Sequence, residues 1–280
     1  MTILRFGNHS DAVRQLQINL NRHGANLVPD GSFDAATQSA VRAYQLKVGL
    51  VADGIAGPKT LSTLAGTDCS KLLKHADLGE AATRLGVPLA TVYAVNEIES
   101  RGRGFLDNGK PVVLFERHIM YRQITTVGHD QDSPSGLKRH ADVLAALHPD
   151  IINPTPGGYA GGNSEHQRLT KARRIDDSAA LESTSWGAFQ IMGFHWRRLG
   201  HDSVQAFVAC MEASESQQFK AFVTFLQTDN ELHDALKARR WADFARIYNG
   251  PQYACNRYHL RLQQAFERYS TCTCDHEATQ

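Results

Sequence analysis

No stretch of this chain is apolar for long enough to cross a membrane, and the opening residues Met1-Thr-Ile-Leu-Arg-Phe-Gly-Asn-His9 lack the apolar run of a secretory signal. Synthesis is expected in the cytosol, with any passage outward supplied by another agent. Excess charge is lacking too: 30 Lys and Arg stand against 29 Asp and Glu, a formal net charge of +1. That excludes bulk attraction to nucleic acid or to an anionic membrane face. Cysteine is scarce, with five in all, at 69, 210, 255, 272 and 274. An odd number at irregular spacing suits reduced thiols and not a disulfide framework. Cys272-Thr-Cys274 is too close-set and isolated to make a four-ligand zinc site by itself. The 13 histidines fall in no HExxH or comparable ligand spacing, so no metal and no other cofactor is expected.

What is present is ordinary globular composition, 42% hydrophobic and 21% charged over 280 residues, enough for two domains with a core each. Residues 1–66 contain an internal echo. Asp30-Gly31 is followed by Thr37, and Asp53-Gly54 by Thr60, an Asp-Gly turn leading into a helix start in both cases. Ala12, Val13, Leu16 and Leu20 hold helical spacing, as do Ala36, Ala40, Val41 and Tyr44. Gly57-Pro58-Lys59-Thr60 opens a third short helix through Leu61 and Leu64, which Gly66 ends. These make a small three-helix bundle. Gly7, Val13-x-x-Leu16-Gln17-x-x-Leu20, Gly24, Asp30-Gly31-x-Phe33, Thr37-x-x-Ala40-Val41-x-x-Tyr44-Gln45, Gly49-Leu50, Asp53-Gly54 and Thr60-x-x-x-Leu64 together resemble the three-helix peptidoglycan-binding domain over residues 3–66. The resemblance implies a non-catalytic anchor to cell-wall glycan or stem peptide. Asp30, Asp53 and Gln45 stand open between structural caps and ligand contacts. Residues 67–70 read as a short linker, 71–270 as a larger domain and 271–280 as a polar tail.

In the larger domain, Pro88–Phe105 reads as one helix that ends in an acid and then breaks. Pro88 suits the first turn, and Leu89, Val92, Val95 and Glu99 share one face, with Glu97 pointing away. Gly102 and Gly104 end it. A carboxylate on an apolar stripe at the negative end of a helix is disfavoured as an anion twice over, by desolvation and by the dipole. Glu99 is therefore a candidate proton donor, or else a side chain turned to solvent at a frayed end. Asp107-Asn108-Gly109 signals a hairpin turn, and Val112–Phe115 has strand character. Glu116 follows directly, as the second carboxyl that glycosidic cleavage usually employs or as an ion-pair partner of Arg117. Residues 123–163, rich in Gly and Pro, read as an inserted loop. Lys71–Leu85, Glu165–Arg174, Ala206–Leu226, Asp229–Ala238 and Tyr253–Tyr269 read as amphipathic helices. Ser183, Thr184 and Ser185 are fair helix N-caps, with Trp186, Phe189 and Met192 facing a core at spacing three. Gln190 among them is either a satisfied core amide or a sugar contact.

Three pieces then match in order. Glu99-Ser100, Ser185-Trp-Gly-Ala-Phe-Gln190-Ile-Met192 and Ile247-Tyr248-Asn249-Gly250 resemble the Glu-Ser, Gly-Leu-Met-Gln and Tyr-Asn motifs of goose-type lysozymes and soluble lytic transglycosylases. Glu99-Ser-Arg-Gly-x-Gly-Phe105, Leu114-Phe-Glu-Arg-His118, Tyr159-Ala-Gly-Gly162 and Arg168-Leu169 bring the chain closer still to the N-acetylmuramidase family of modular phage endolysins, over residues 72–270. The resemblance implies a mainly α chain, the small bundle joined to a lysozyme-like α-helical domain with a short β-hairpin. It implies cleavage of the β-1,4 bond between N-acetylmuramic acid and N-acetylglucosamine, for lysis of a host cell. Glu99 becomes the catalytic acid, with Ser185, Gln190, Tyr248 and Asn249 lining the cleft and Glu116 as a possible base or orienting group. The expected partner is peptidoglycan, met by a monomer made in the host cytoplasm and released to the periplasm by a separate holin, without membrane insertion or nucleic acid. No carboxylate matches the nucleophilic aspartate of hen-type lysozymes. A held water, the substrate's 2-acetamido group, or its 6-hydroxyl could therefore complete the reaction, the last giving the anhydro product of a lytic transglycosylase. A non-catalytic wall-binding or tail protein is the alternative from another class.

Overall fold

The structure, a computed structural model, describes residues 3–100, 102–126 and 134–271. The Cys272-Thr-Cys274 pair and nearly all of the polar tail lie outside the described residues. The backbone groups into two units, residues 1–96 with 252–280, and residues 97–251. Among the described residues no helix is long and apolar enough to cross a membrane.

In the first unit α1 (Asp11–Arg22), α2 (Ala35–Lys47) and α3 (Pro58–Leu64) pack around Val13, Leu16, Leu20, Phe33, Val41 and Tyr44. Ser10 accepts a hydrogen bond from Val13 N, and Asp34 one from Thr37 N, satisfying amides that lack a helical partner. The sequence echo has a structural cause. Gln17 Nε2 shares its two protons among Asp30 Oδ1, Ser32 O and Thr37 Oγ1, at 3.0, 3.0 and 3.1 Å, and Gln17 Oε1 accepts Gly31 N at 2.9 Å. Gln45 repeats every bond, to Asp53 Oδ1, Ile55 O and Thr60 Oγ1 at 2.8, 3.1 and 3.0 Å, with Gly54 N at 2.9 Å. Gly31 and Gly54 turn at φ +81° and +73°, where a side chain would be strained. Asp30, Asp53 and Gln45 thus hold the turns of the fold. Gln17 leads the groups that hold the Asp30 carboxyl below its ordinary value.

The residues after this bundle fold back on it. Leu50 and Lys74 form an antiparallel bridge, and His75 N donates to Gly49 O at 3.2 Å. Next come α4 (His75–Leu85) and α5 (Leu89–Glu99). Tyr93 Oη accepts Ala52 N at 3.2 Å and is hydrogen-bonded to His75 Nδ1, 2.6 Å away. Burial holds the His75 imidazole below its ordinary value. The closing helix, Tyr258–Ser270, starts later than its periodicity suggests, after a 3₁₀ turn at Pro251–Ala254. It brings the Tyr269 ring to 4.9 Å from that of Tyr93. The single apolar stripe expected on α5 is a correction: every residue from Ala90 to Val95 is buried. The helix is a central one, apolar all round.

The second unit contains α6 (Arg117–Thr126), α7 (Pro134–Leu147), α8 (Gly162–Arg173), α9 (Asp177–Glu182), α10 (Val204–Ala213), α11 (Glu215–Gln227), α12 (Asn230–Lys237) and α13 (Trp241–Asn249). Its antiparallel sheet runs β1 (Val113–Phe115), β2 (Thr184–Trp186), β3 (Ile191–Met192), with Leu114 opposite Ser185 and Ser185 opposite Met192. Three expectations fail here. Ser183–Ser185 start no helix, and Ser183 instead ends α9; 184–192 is a hairpin, because Gly187 and Gln190 take φ +74° and +51° and reverse the chain. The helix expected over 206–226 breaks at Ser214, which is extended and caps α11 through Gln217 N at 3.2 Å. The presumed loop 123–163 contains α7, anchored by the fully buried Ala141. Asp107–Gly109 does turn, but it closes only a Phe105–Pro111 bridge; the strand partner of β1 is β2.

His195 sits against the rings of Phe194 and Phe225, at 4.4 and 5.0 Å. Burial, with a smaller push from Arg198, lowers it from 6.5 to about 4. The unfolded chain takes up a proton below 6.5 that the folded state refuses until about 4. Stability is therefore complete above the higher value and declines as pH falls toward the lower one. Replacing the ring by an uncharged one, His195→Phe, should flatten the drop in Tm across that window. Parallel Tm curves for the two proteins would disprove this role.

Candidate active site

α5 closes at Glu99, and Gly102 at φ +80° turns the chain away from it. Glu99 is half-buried, as Glu97 is. What distinguishes Glu99 is its partner: Asn249 Nδ2, on the last residue of α13, donates to Glu99 Oε1 at 3.1 Å. The neighbouring Tyr248 donates from Oη to Phe189 O at 3.3 Å, so α13 also grips the β2–β3 turn. The Tyr248 ring is stacked near Phe244 at 5.9 Å, and the Phe189 ring on Phe222 at 4.3 Å.

The β2–β3 turn is pinned from inside. Ser185 Oγ donates to Gln190 Oε1 at 3.0 Å, and Gln190 Nε2 donates to Gly187 O at 2.9 Å and reaches Val112 O at 3.5 Å. Both polar ends of Gln190 are engaged, which accounts for a non-glycine residue at positive φ. Ser185 and Gln190 thus meet each other, and Tyr248 holds the same turn, while Asn249 reaches Glu99.

A second clamp was not readable in the sequence. Glu215 Oε1 accepts Gly104 N at 2.7 Å. One turn along, Gln218 Oε1 accepts Ala188 N at 2.9 Å, and its Nε2 donates to Met211 O at 2.9 Å and Gly104 O at 3.2 Å. Glu215 and Gln218 are both about 2% exposed or less. A Cβ on Gly104 would collide with Gln218 Oε1, and one on Gly187 would lie 2.5 Å from Gln218 Cδ. Gly104 therefore serves close packing, while Gly102 supplies a positive φ to the turn. The segment after Glu99 and the β2–β3 turn are both seated on α11.

Glu116 immediately precedes α6. Tyr159 Oη donates to Glu116 Oε2 at 2.8 Å. His118 Nδ1 stands 3.2 Å from the same oxygen, without the alignment of a hydrogen bond. Burial, then Glu116, raise the Tyr159 phenol above its ordinary value. The alternative pairing with Arg117 does not form: Arg117 donates to Thr155 O at 2.9 Å and Pro156 O at 3.1 Å. Beneath this loop lies a buried ion pair. Glu165 is 0% exposed and accepts Phe115 N, Ala160 N, Gly161 N and Arg168 Nη1 at 3.1, 2.6, 3.0 and 2.8 Å. Burial acts to raise the Glu165 carboxyl, but the three amides and Arg168 outweigh it, and the net displacement is downward. A Glu and an Arg at i and i+3 of a helix could have signalled this pair. Among the described residues no group of three or more His, Cys, Asp or Glu is placed to hold a metal.

Two family models match the chain, N-acetylmuramidase over residues 88–270 and peptidoglycan binding domain over residues 9–64. The crystal structure of Burkholderia AP3 phage endolysin is similar at 50% sequence identity, covering 97% of this chain and 100% of that one, with a TM-score of 0.88. A shorter likeness, 46% identity over 70 residues, joins 23% of the chain to the zinc D-Ala-D-Ala carboxypeptidase of Streptomyces albus G. The match spans 28% of that enzyme's length.

Proposed function

Because the chain belongs to the N-acetylmuramidase family, we propose that it hydrolyses the β-1,4 bond between N-acetylmuramic acid and N-acetylglucosamine in peptidoglycan, with Glu99 as the acid. The observation that carries this reading is the Asn249–Glu99 hydrogen bond. With Asn249 Nδ2 donating to Oε1, Oε2 is the oxygen assigned to deliver the proton to the glycosidic oxygen. The C1–oxygen bond then breaks, positive charge grows at C1, and the Glu99 carboxylate left behind faces that charge. Water then adds its hydroxyl to C1, and the proton it sheds returns to the Glu99 carboxylate. Ser185, Gln190 and Tyr248 act in this reading by fixing the β2–β3 turn as one wall for the sugar chain. Glu116, oriented by Tyr159, is the candidate for a base or orienting group. The N-terminal bundle holds the enzyme on the insoluble polymer, raising the local concentration of bonds to cut. Likeness to a phage endolysin along nearly the whole chain supports a role in host lysis.

Mass spectrometry of muropeptides released from purified sacculi tests the reaction. Hydrolysis leaves a reducing muramic acid. Release of 1,6-anhydro ends would make the protein a transglycosylase, and no release would remove the enzymatic reading.

A further inference from the structure

We propose that the N-terminal bundle grips the wall by its stem peptide and not its sugar, in a groove between the end of α1, the 23–27 loop and α2. This rests on the reading of that bundle as a peptidoglycan anchor. The residues that mark the bundle in the sequence are engaged in its fold: Gln17, Thr37, Gln45 and Thr60 are buried, and Asp30 and Asp53 each accept a glutamine amide through Oδ1. The groove is a cavity of about 500 Å³, a size usual for small-molecule sites. Ala36, Ala40 and Ala43 line it from one face of α2, with His23, Asn26 and Lys47 among the polar lining.

Those polar groups are not used up by folding. Lys47 Nζ donates to His23 O at 3.1 Å, which holds the ammonium in place and leaves two protons. No carboxylate pairs with it among the described residues, and the Asn26 side chain makes no hydrogen bond among them. The lining contains no acidic residue. A held, unpaired cation over an acid-free groove selects an anion.

A neutral sugar chain fits this lining poorly. Sugars are gripped by flat exposed aromatic faces and by carboxylates that accept hydroxyl protons. Here Tyr44 is 5% exposed, with His23 over it at 5.0 Å. Alanines at spacings of four and three leave dents of methyl size, which suit the alanyl residues of a stem peptide, while Lys47 meets a peptide carboxylate. The ligand class is therefore a short alanine-containing peptide with free carboxylates.

The test uses the full chain carrying Glu99→Gln, so that nothing is cut. Titration calorimetry is run with two probes: the sugar-free tetrapeptide stem, and glycan strands stripped of peptide. The stem should bind and the bare glycan should not. Lys47→Ala should weaken binding about tenfold, the scale of one charge-assisted hydrogen bond. Ala43→Leu should abolish it, because Ala43 is exposed on the groove and a larger side chain fills the space without disturbing the core. Binding of bare glycan with equal strength, or unchanged stem binding in both variants, would overturn the proposal. Sedimentation with intact sacculi separates the two readings. If both variants sediment as the parent does, the groove is wrong and the anchor stands. If the parent fails to sediment, the anchor reading itself falls.

Discussion

Glu99→Gln is expected to slow clearing of a peptidoglycan suspension by about a thousandfold, the middle of the range for a lost general acid. The substitution is close to isosteric. Gln keeps an oxygen where Asn249 Nδ2 donates at 3.1 Å, so the local geometry has no reason to change. What disappears is the proton that the leaving sugar oxygen requires. Binding to sacculi should be the same as for the wild type, because the residue lies outside the bundle that carries the anchor. Clearing at the wild-type rate would show that another group is the acid. Loss of clearing together with a fall in Tm would point instead to damage at the end of α5.

Glu165→Gln should cost about 3–5 kcal/mol of stability, the usual penalty for breaking a buried ion pair from one side. Tm should fall by about 10 °C for a unit of this size. The side chain accepts three backbone amides and the Arg168 guanidinium with no exposure to solvent. An amide in its place turns an NH₂ toward donors and leaves Arg168 buried without a counter-charge. Two of the lost partners, Ala160 and Gly161, are the two residues after Tyr159, so the Tyr159–Glu116 bond should loosen as well. Thermal denaturation reads the result, and a Tm within 2 °C of wild type would contradict it. The acid side has the same origin. Glu165 is lowered from 4.5, so its contribution is present above that value and is lost as pH falls through the folded-state pKa.

The parts of the molecule legible in the sequence are those whose causes are local. The Asp-Gly and Thr echo predicts the small bundle because turn, cap and glutamine lie within one network, and that network occurs twice. Glu99 is legible as the end of a helix that Gly102 closes. The hairpin at 184–192 was not, because Trp186, Phe189 and Met192 recur at a helical spacing. The left-handed backbone of Gln190 is fixed by bonds to Ser185, Gly187 and Val112 that no periodicity records. Ser214 reads as one more polar residue in a helix until its side chain is seen to start the next one. Ala36, Ala40 and Ala43 look like helix filler, and the groove they line beside α2 is not visible in their spacing. Gln218 carried no signal at all, since its partners Gly104 and Ala188 lie 114 and 30 positions away.

Those distances bear on when the enzyme can first work. Glu99 meets Asn249 across 150 positions, and Gly104 meets Glu215 across 111. A nascent chain that has left the ribosome only as far as the acid holds neither contact. The segment after Glu99 waits for α11, and the Glu99 oxygen waits for α13. With Glu99 as the proposed acid, any fragment that stops short of α11 carries the carboxyl without the contacts that aim it.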